Sequence, residues 1–161
     1  MSREIVSACL DQSVAGDPWH GPSLDALLAD VTAEQAFARP VPGAHTIVEL
    51  VLHLTAWMRE VCERLRGGEP GLPAEGDWPR PGPEPRAAWL AARADLRAVD
   101  ASLHGLVASL DPDRLHEPDG VPRDRALGTG VTRAAMLLGV AQHAAYHGGQ
   151  IAVLKRALSS G

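Results

Sequence analysis

The feature that most constrains the fold is an unbroken series of apolar residues, three or four positions apart, in the second half of the chain. This spacing places apolar side chains on one stripe of an α-helix. The stripe is buried from water only when the helix packs against other helices. It predicts a long helix over residues 86–110, with the stripe Trp89, Ala92, Leu96, Val99, Leu103, Leu106 and Leu110.

Two further long helices carry similar stripes. Thr46 and Glu49 have the spacing of a capping box, which predicts a helix beginning near Ile47 and ending before Gly67. Thr132 is predicted to cap the last helix. The two stripes are Ile47, Leu50, Leu54, Trp57 and Val61, and then Leu137, Val140, Ala144, His147, Ile151, Leu154 and Leu158.

A fourth helix is predicted to begin at Ser23, and a short helix of no evident role is predicted near residues 2–14. The stretches 69–85 and 111–130 are rich in Pro and Gly and are predicted to be irregular loops. Three long helices and the one from Ser23 predict an all-α fold, a four-helix bundle in which the long loops permit a crossover connection. No strand is expected.

Composition agrees with one helical domain over residues 1–161. Hydrophobic residues make up 45% of the chain and aromatic residues only 4%, which suits helix interfaces rather than sandwich cores. The net charge of -5, without a basic run, argues against nucleic-acid binding. No apolar run is long enough for a membrane span and no signal peptide is evident, so we expect a cytoplasmic location and two free thiols, Cys9 and Cys62.

Three histidines provide the main functional signal. His143 and His147 are four residues apart, so on a helix they project from one face, as two ligands of one ion should. Such a pair also occurs by chance, with His147 as an ordinary core histidine. His53 flanks the stripe of its own helix and can reach across the bundle interior. Three imidazoles converging there are hard to satisfy without a shared metal ion, and three histidine ligands leave an open coordination position.

Two sequence blocks also resemble a known family. The runs are His45-Thr46-Ile47-Val48-Glu49-Leu50-Val51-Leu52-His53-Leu54, followed by Trp57, and Gln142-His143-Ala144-Ala145-Tyr146-His147-Gly148-Gly149-Gln150-Ile151. They resemble the second-helix and last-helix signatures of the DinB-like superfamily (DinB/YfiT-like metalloenzymes), and the similarity covers about residues 19–158.

The resemblance implies a four-helix bundle, often a homodimer, whose three histidines bind a divalent ion such as nickel, zinc, iron or manganese. These ligands carry over onto His53, His143 and His147. Some relatives are thiol transferases that use mycothiol or bacillithiol, so the resemblance also raises the use of a low-molecular-weight thiol.

Other polar residues near the site have ordinary explanations beside functional ones. Glu49 is a capping residue that could also orient His53, and Gln150 is placed to support His147 or simply to pack. His20 precedes a predicted helix and is either solvated or a fourth ligand. Tyr146 should face away from the site, and close approach of another helix is the preferred reason for Gly148 and Gly149.

Two classes of function follow from the sequence. The first is a metalloenzyme acting on a small-molecule substrate, in which the ion activates water or a thiol for hydrolysis or thiol transfer. The second is a non-catalytic metal- or small-molecule-binding bundle, for which a fourth protein ligand such as His20 or Glu49 would be the mark. A plain bundle without metal requires that the histidines lie apart.

Overall fold

The computed structural model describes residues 2–119 and 122–159, and most of these are helical. Two-residue strands β1 (Pro118–Asp119) and β2 (Val131–Thr132) pair antiparallel, and a 3₁₀ helix spans Pro112–His116. The all-α prediction is therefore confirmed. The α-helices are α1 (Arg3–Val14), α2 (Leu24–Leu28), α3 (Ala33–Phe37), α4 (Ile47–Leu65), α5 (Pro85–Ser109) and α6 (Arg133–Ser159).

The bundle consists of the four longest helices. Helix α4 packs against α5 and α6, and α1 packs against the same two helices, so α1 and α4 occupy opposite corners. Buried apolar side chains from all four helices form one core cluster. The arrangement makes α4 and α6, the two helices that carry the candidate ligands, direct neighbours.

The fourth bundle helix is α1, and not the segment from Ser23. Ser23 has the extended backbone of an N-cap, but α2 lasts only five residues. Thr32 then starts α3 with a capping box of its own, in which Thr32 and Gln35 each bond the other's backbone N–H. This second cap divides the predicted helix in two, while the N-terminal helix buries Val6, Leu10 and Val14 in the core.

The other predicted helix starts agree with the structure. The N–H of Glu49 donates to the Thr46 hydroxyl, and the N–H of Thr46 donates to the Glu49 carboxylate. The Thr132 hydroxyl accepts from the N–H of Ala135 at the start of α6. Local capping chemistry thus sets where α4 and α6 begin.

One buried guanidinium on α4 contacts both long loops. Arg64 donates to the carboxylates of Glu60 and Asp119 and to the carbonyls of Gly71 and Leu127, and its side chain is only 2% exposed. Gly71 and Leu127 belong to different loops, so this one side chain bonds both loops to α4. No local pattern in the sequence predicts this network.

The β1–β2 pair corrects the expectation that no strand forms. Each strand has two residues, too few to show an alternating pattern, and their pairing is extended by Gly130 donating to the Asp119 carbonyl. Gly120 and Val121 of the predicted irregular stretch lie outside the described residues. Cys9 and Cys62 are free thiols, as predicted. No helix in the described part of the chain combines the length and hydropathy needed to cross a bilayer.

Candidate metal centre

Three histidines meet at the interface between α4 and α6. His53 projects from α4, and His143 and His147 project from successive turns of α6. The Nε2 atom of His143 lies 3.0 Å from that of His53 and 2.9 Å from that of His147. Their ligating nitrogens all lie within 4.8 Å of one another, so the predicted triad is brought together and could hold a metal ion.

The imidazole of His53 is held by Asp77, which lies in the loop between α4 and α5. Its Nδ1 is 2.6 Å from the backbone carbonyl of Asp77 and 3.3 Å from a carboxylate oxygen of the same residue. A carbonyl can only accept a hydrogen bond, so Nδ1 carries the proton and Nε2 presents a lone pair. The tautomer of His53 is therefore the one that ligates through Nε2.

Two tryptophans complete the surroundings of His53. The ring of Trp78 stacks between the rings of His45 and His53, at centroid distances of 3.6 and 3.9 Å. The indole N–H of Trp57 donates to the Asp77 carboxylate across 2.7 Å. Asp77 thus fixes the rotation of the His53 ring through its Nδ1, and Trp78 packs against one face of that ring.

His147 is oriented by Gln150, one turn further along α6. Its Nδ1 donates to the amide oxygen of Gln150 across 2.7 Å, which leaves its Nε2 facing the other two rings. Metal-bound histidines commonly have such a partner on the nitrogen that does not bind the ion. Of the two interpretations of Gln150, support of His147 is the one that the structure confirms.

The hydrogen bonding of the triad fits a bound cation. His53 and His147 both direct an Nε2 lone pair at Nε2 of His143, and one proton on that atom could satisfy only one of them. A cation at the centre would satisfy all three. Two nitrogens of a tetrahedral zinc site lie roughly 3.3 Å apart when Zn–N bonds are about 2.0–2.1 Å, and the two contacts of His143, at 3.0 and 2.9 Å, are within a few tenths of an ångström of that separation.

The electrostatics keep two of the ligands neutral. Burial lowers the pKa of His143 to about 4, helped by repulsion from His147 and His53. Burial also lowers the pKa of His147, against a smaller opposing effect of its bond to Gln150. Both imidazoles are therefore unprotonated at neutral pH, which is the form that binds a metal.

A cavity of about 480 Å³ borders the site on the side of His53 and His143. Its walls come from α4, α6 and the two long loops, and Asp77 of the Pro-rich loop lies on its border. His53 and His143 line this space, so a small molecule in it would lie beside two of the three candidate ligands.

Comparison with known proteins identifies the family. Residues 19–151, most of the chain, match the family model of the DinB superfamily. The chain belongs to the DinB superfamily. No match was found among curated proteins or among solved structures. In this DinB-superfamily chain the two matching sequence blocks are the segments of α4 and α6 that supply the three histidines.

The other residues that were candidates in this DinB-superfamily sequence lie outside the histidine triad. Glu49 is used by the α4 cap and by Arg39, and His20 is exposed in the loop before α2. Tyr146 is exposed, as predicted, although its ring edge contacts His147. A Cβ on Gly148 would lie 3.4 Å from Leu27 of α2, whereas one on Gly149 would meet nothing within 4 Å, so close approach applies to Gly148 alone.

Sequence reasoning missed Asp77, Trp78 and the stacking role of His45. These contacts join residues from separate parts of the chain, and no periodic pattern marks them. The one available hint was an acidic and an aromatic residue side by side in a Pro-rich loop.

Proposed function

We propose that the protein is a metal-dependent enzyme in which His53, His143 and His147 hold a divalent ion beside a substrate cavity. The observation that supports it is the convergence of three Nε2 atoms next to a cavity of about 480 Å³. Nickel, zinc and iron suit a site with imidazole ligands, and manganese is the further candidate that the family resemblance raises. The reaction is hydrolysis or thiol transfer on a small-molecule substrate.

A bound divalent ion would supply a Lewis acid that lowers the pKa of a water or thiol in the open position. The protein's own residues prepare that position. Asp77 and Gln150 fix the ligand tautomers, and Trp78 covers one face of His53. Among the described residues that line the cavity, Asp77 is the one carboxylate, so it is placed to take up a proton.

The alternative is a non-catalytic module in which the ion only stabilises the bundle. A fourth protein ligand would favour this alternative. The metal-ligating groups that come together in the described residues are His53, His143 and His147; His20 and Glu49 do not join them. An open position bordering a cavity supports catalysis.

The first experiment measures metal content by mass-spectrometric elemental analysis of protein purified without an affinity tag. We expect near-stoichiometric metal in the wild type and loss of it in His143→Ala/His147→Ala. The matched control is His104→Ala/His116→Ala, which removes two histidines outside the site and should retain the metal. A wild type that is empty and also fails to bind added nickel, zinc, manganese or iron would overturn the proposal.

We also propose a homodimer, as the family resemblance implies. Exposed Tyr146 and Val153 on α6 flank an apolar surface cavity, and they support pairing through this helix. Light scattering coupled to size-exclusion chromatography gives the mass directly.

A further inference from the structure

The cavity beside the histidines has an apolar wall and a cationic rim, and these two features specify a class of ligand. The wall is formed by Met58 and Val61 of α4 and by Met136 and Val140 of α6. These side chains cannot hydrogen-bond a ligand, so they favour an apolar body. At about 480 Å³, the space is in the usual range for a small-molecule site.

The charges on the rim are not balanced. Three arginines line the cavity, Arg64, Arg123 and Arg125, against the single carboxylate of Asp77. That carboxylate is already bonded to Trp57 and close to His53. Arg64 is already paired with the carboxylates of Glu60 and Asp119, so the positive charge on the rim comes from Arg123 and Arg125. In a chain of net charge -5, this charge favours an anionic ligand.

The three arginines differ in how many hydrogen bonds and ion pairs their guanidinium groups already make. Arg64 is held by Glu60 and Asp119 and by two carbonyls. Arg123 donates to the carbonyl of Thr129, and its other N–H groups have no hydrogen-bond partner among residues 2–119 and 122–159. Arg125 makes no hydrogen bond or ion pair with the residues that the structure describes. Neither Arg123 nor Arg125 forms an ion pair with a carboxylate of the described residues, so both guanidinium groups are placed to contact one ligand carboxylate.

The loop that carries Arg123 and Arg125 forms a turn held by hydrogen bonds of Thr129. The buried side chain of Thr129 accepts from the N–H of Asp124 and donates to the carbonyl of Pro122, and the N–H of Thr129 donates to the carbonyl of Asp124. These bonds position the backbone of Arg123 and Arg125 on the cavity rim before any ligand arrives. Preorganisation of this kind reduces the entropy lost on binding.

We infer that the cavity binds a small carboxylate with an apolar body, the carboxylate on Arg125 and Arg123 and the apolar part between α4 and α6. The inference rests on the proposed function for what happens at the histidines, and it adds the substrate class. The reactive part of the substrate then lies at the end of the cavity nearest His53 and His143.

The test is calorimetric titration of the zinc-loaded full chain with octanoate, octan-1-ol and octylammonium, which share one apolar body. Octanoate should bind at least tenfold more tightly than either of the others. Arg125→Gln should weaken octanoate binding and leave octanol binding unchanged, and Arg123→Gln/Arg125→Gln should bring octanoate to the octanol level. Arg86→Gln, at an exposed arginine of α5 away from the cavity, is the matched control and should behave as wild type.

Octanol binding also reports whether the cavity survives in each variant. Octanoate binding that ignores both arginine variants but disappears in His143→Ala would overturn the inference, because the carboxylate would then sit on the metal. Equal affinity for octanoate and octanol would overturn it too. Arginine-dependent octanoate binding in a protein found empty by elemental analysis would support the subsite and remove only the proposed metal chemistry.

Discussion

At the scale of single residues, the candidate centre depends on atoms that are not themselves candidate ligands. Asp77 and Gln150 each bond the Nδ1 of one ligand, and in doing so they set which nitrogen is free to bind. The carbonyl of Asp77 is a backbone group, so no substitution removes it directly. Gln150 acts through its side chain and can be tested alone.

Replacing Gln150 with alanine should weaken metal binding about 10- to 100-fold, because His147 loses the bond that holds its tautomer and ring orientation. Competition with a chelating dye measures the affinity. Gln142→Ala is the control, since Gln142 is an exposed glutamine on the same helix. Equal affinities in the two variants would mean that the helix backbone alone orients His147.

At the scale of elements, the helices were predictable and their connections were not. Capping boxes and apolar stripes act over a few residues, so the starts of α4 and α6 can be found from Thr46 and Thr132. Arg64 of α4 bonds Asp119 and Leu127, which lie 55 and 63 residues further along the chain. No local pattern encodes such contacts, and the positions of Asp77 and Trp78 depend on loop packing for the same reason.

The loop before β2 contains two glycines that share a positive φ but differ in the space around them. Gly128 and Gly130 have φ of +68° and +70°. A Cβ at Gly130 would lie 2.6 Å from Cα of Arg123, whereas one at Gly128 would meet nothing within 4 Å. Both alanine variants therefore have the strain of a positive φ, and only one adds a backbone clash.

Gly130→Ala should consequently destabilise the protein by about 1–3 kcal/mol more than Gly128→Ala, the range typical of overpacking. Urea denaturation gives the free energies of unfolding, and hydrogen exchange at the Thr129 amide follows the loop itself. If both variants lose the same stability, the Arg123 backbone moves aside without cost and the clash is irrelevant.

At the scale of the whole molecule, the bundle needs a helix that precedes the family match. The match covers residues 19–151, yet α1 lies before it and supplies one of the four packed helices. The sequence predicted this helix with nearly correct bounds but assigned it no role. A helix of 12 residues is placed by the surface it packs on, and α5 and α6 provide that surface.

Leu10→Ala should therefore destabilise the protein by about 2–5 kcal/mol, as expected for a large side chain removed from a core. Ile5→Ala, at a position of α1 that is 55% exposed, should change the free energy of unfolding by less than about 0.5 kcal/mol. Chemical denaturation of both variants checks this. A Leu10→Ala protein as stable as wild type would show that α1 does not unfold together with the bundle.

The ligands stand on both sides of α5 in the chain, His53 before it and His143 and His147 after it. A growing polypeptide therefore offers one imidazole of the triad until the ribosome has passed α5 and built much of α6. Since synthesis runs from the N-terminus, α4 and α5 leave the ribosome before the complete donor set exists, and a domain of this size folds as one unit. Under the proposed function, ion capture would therefore follow translation of α6, and discrimination among ions would belong to the assembled bundle rather than to the nascent chain.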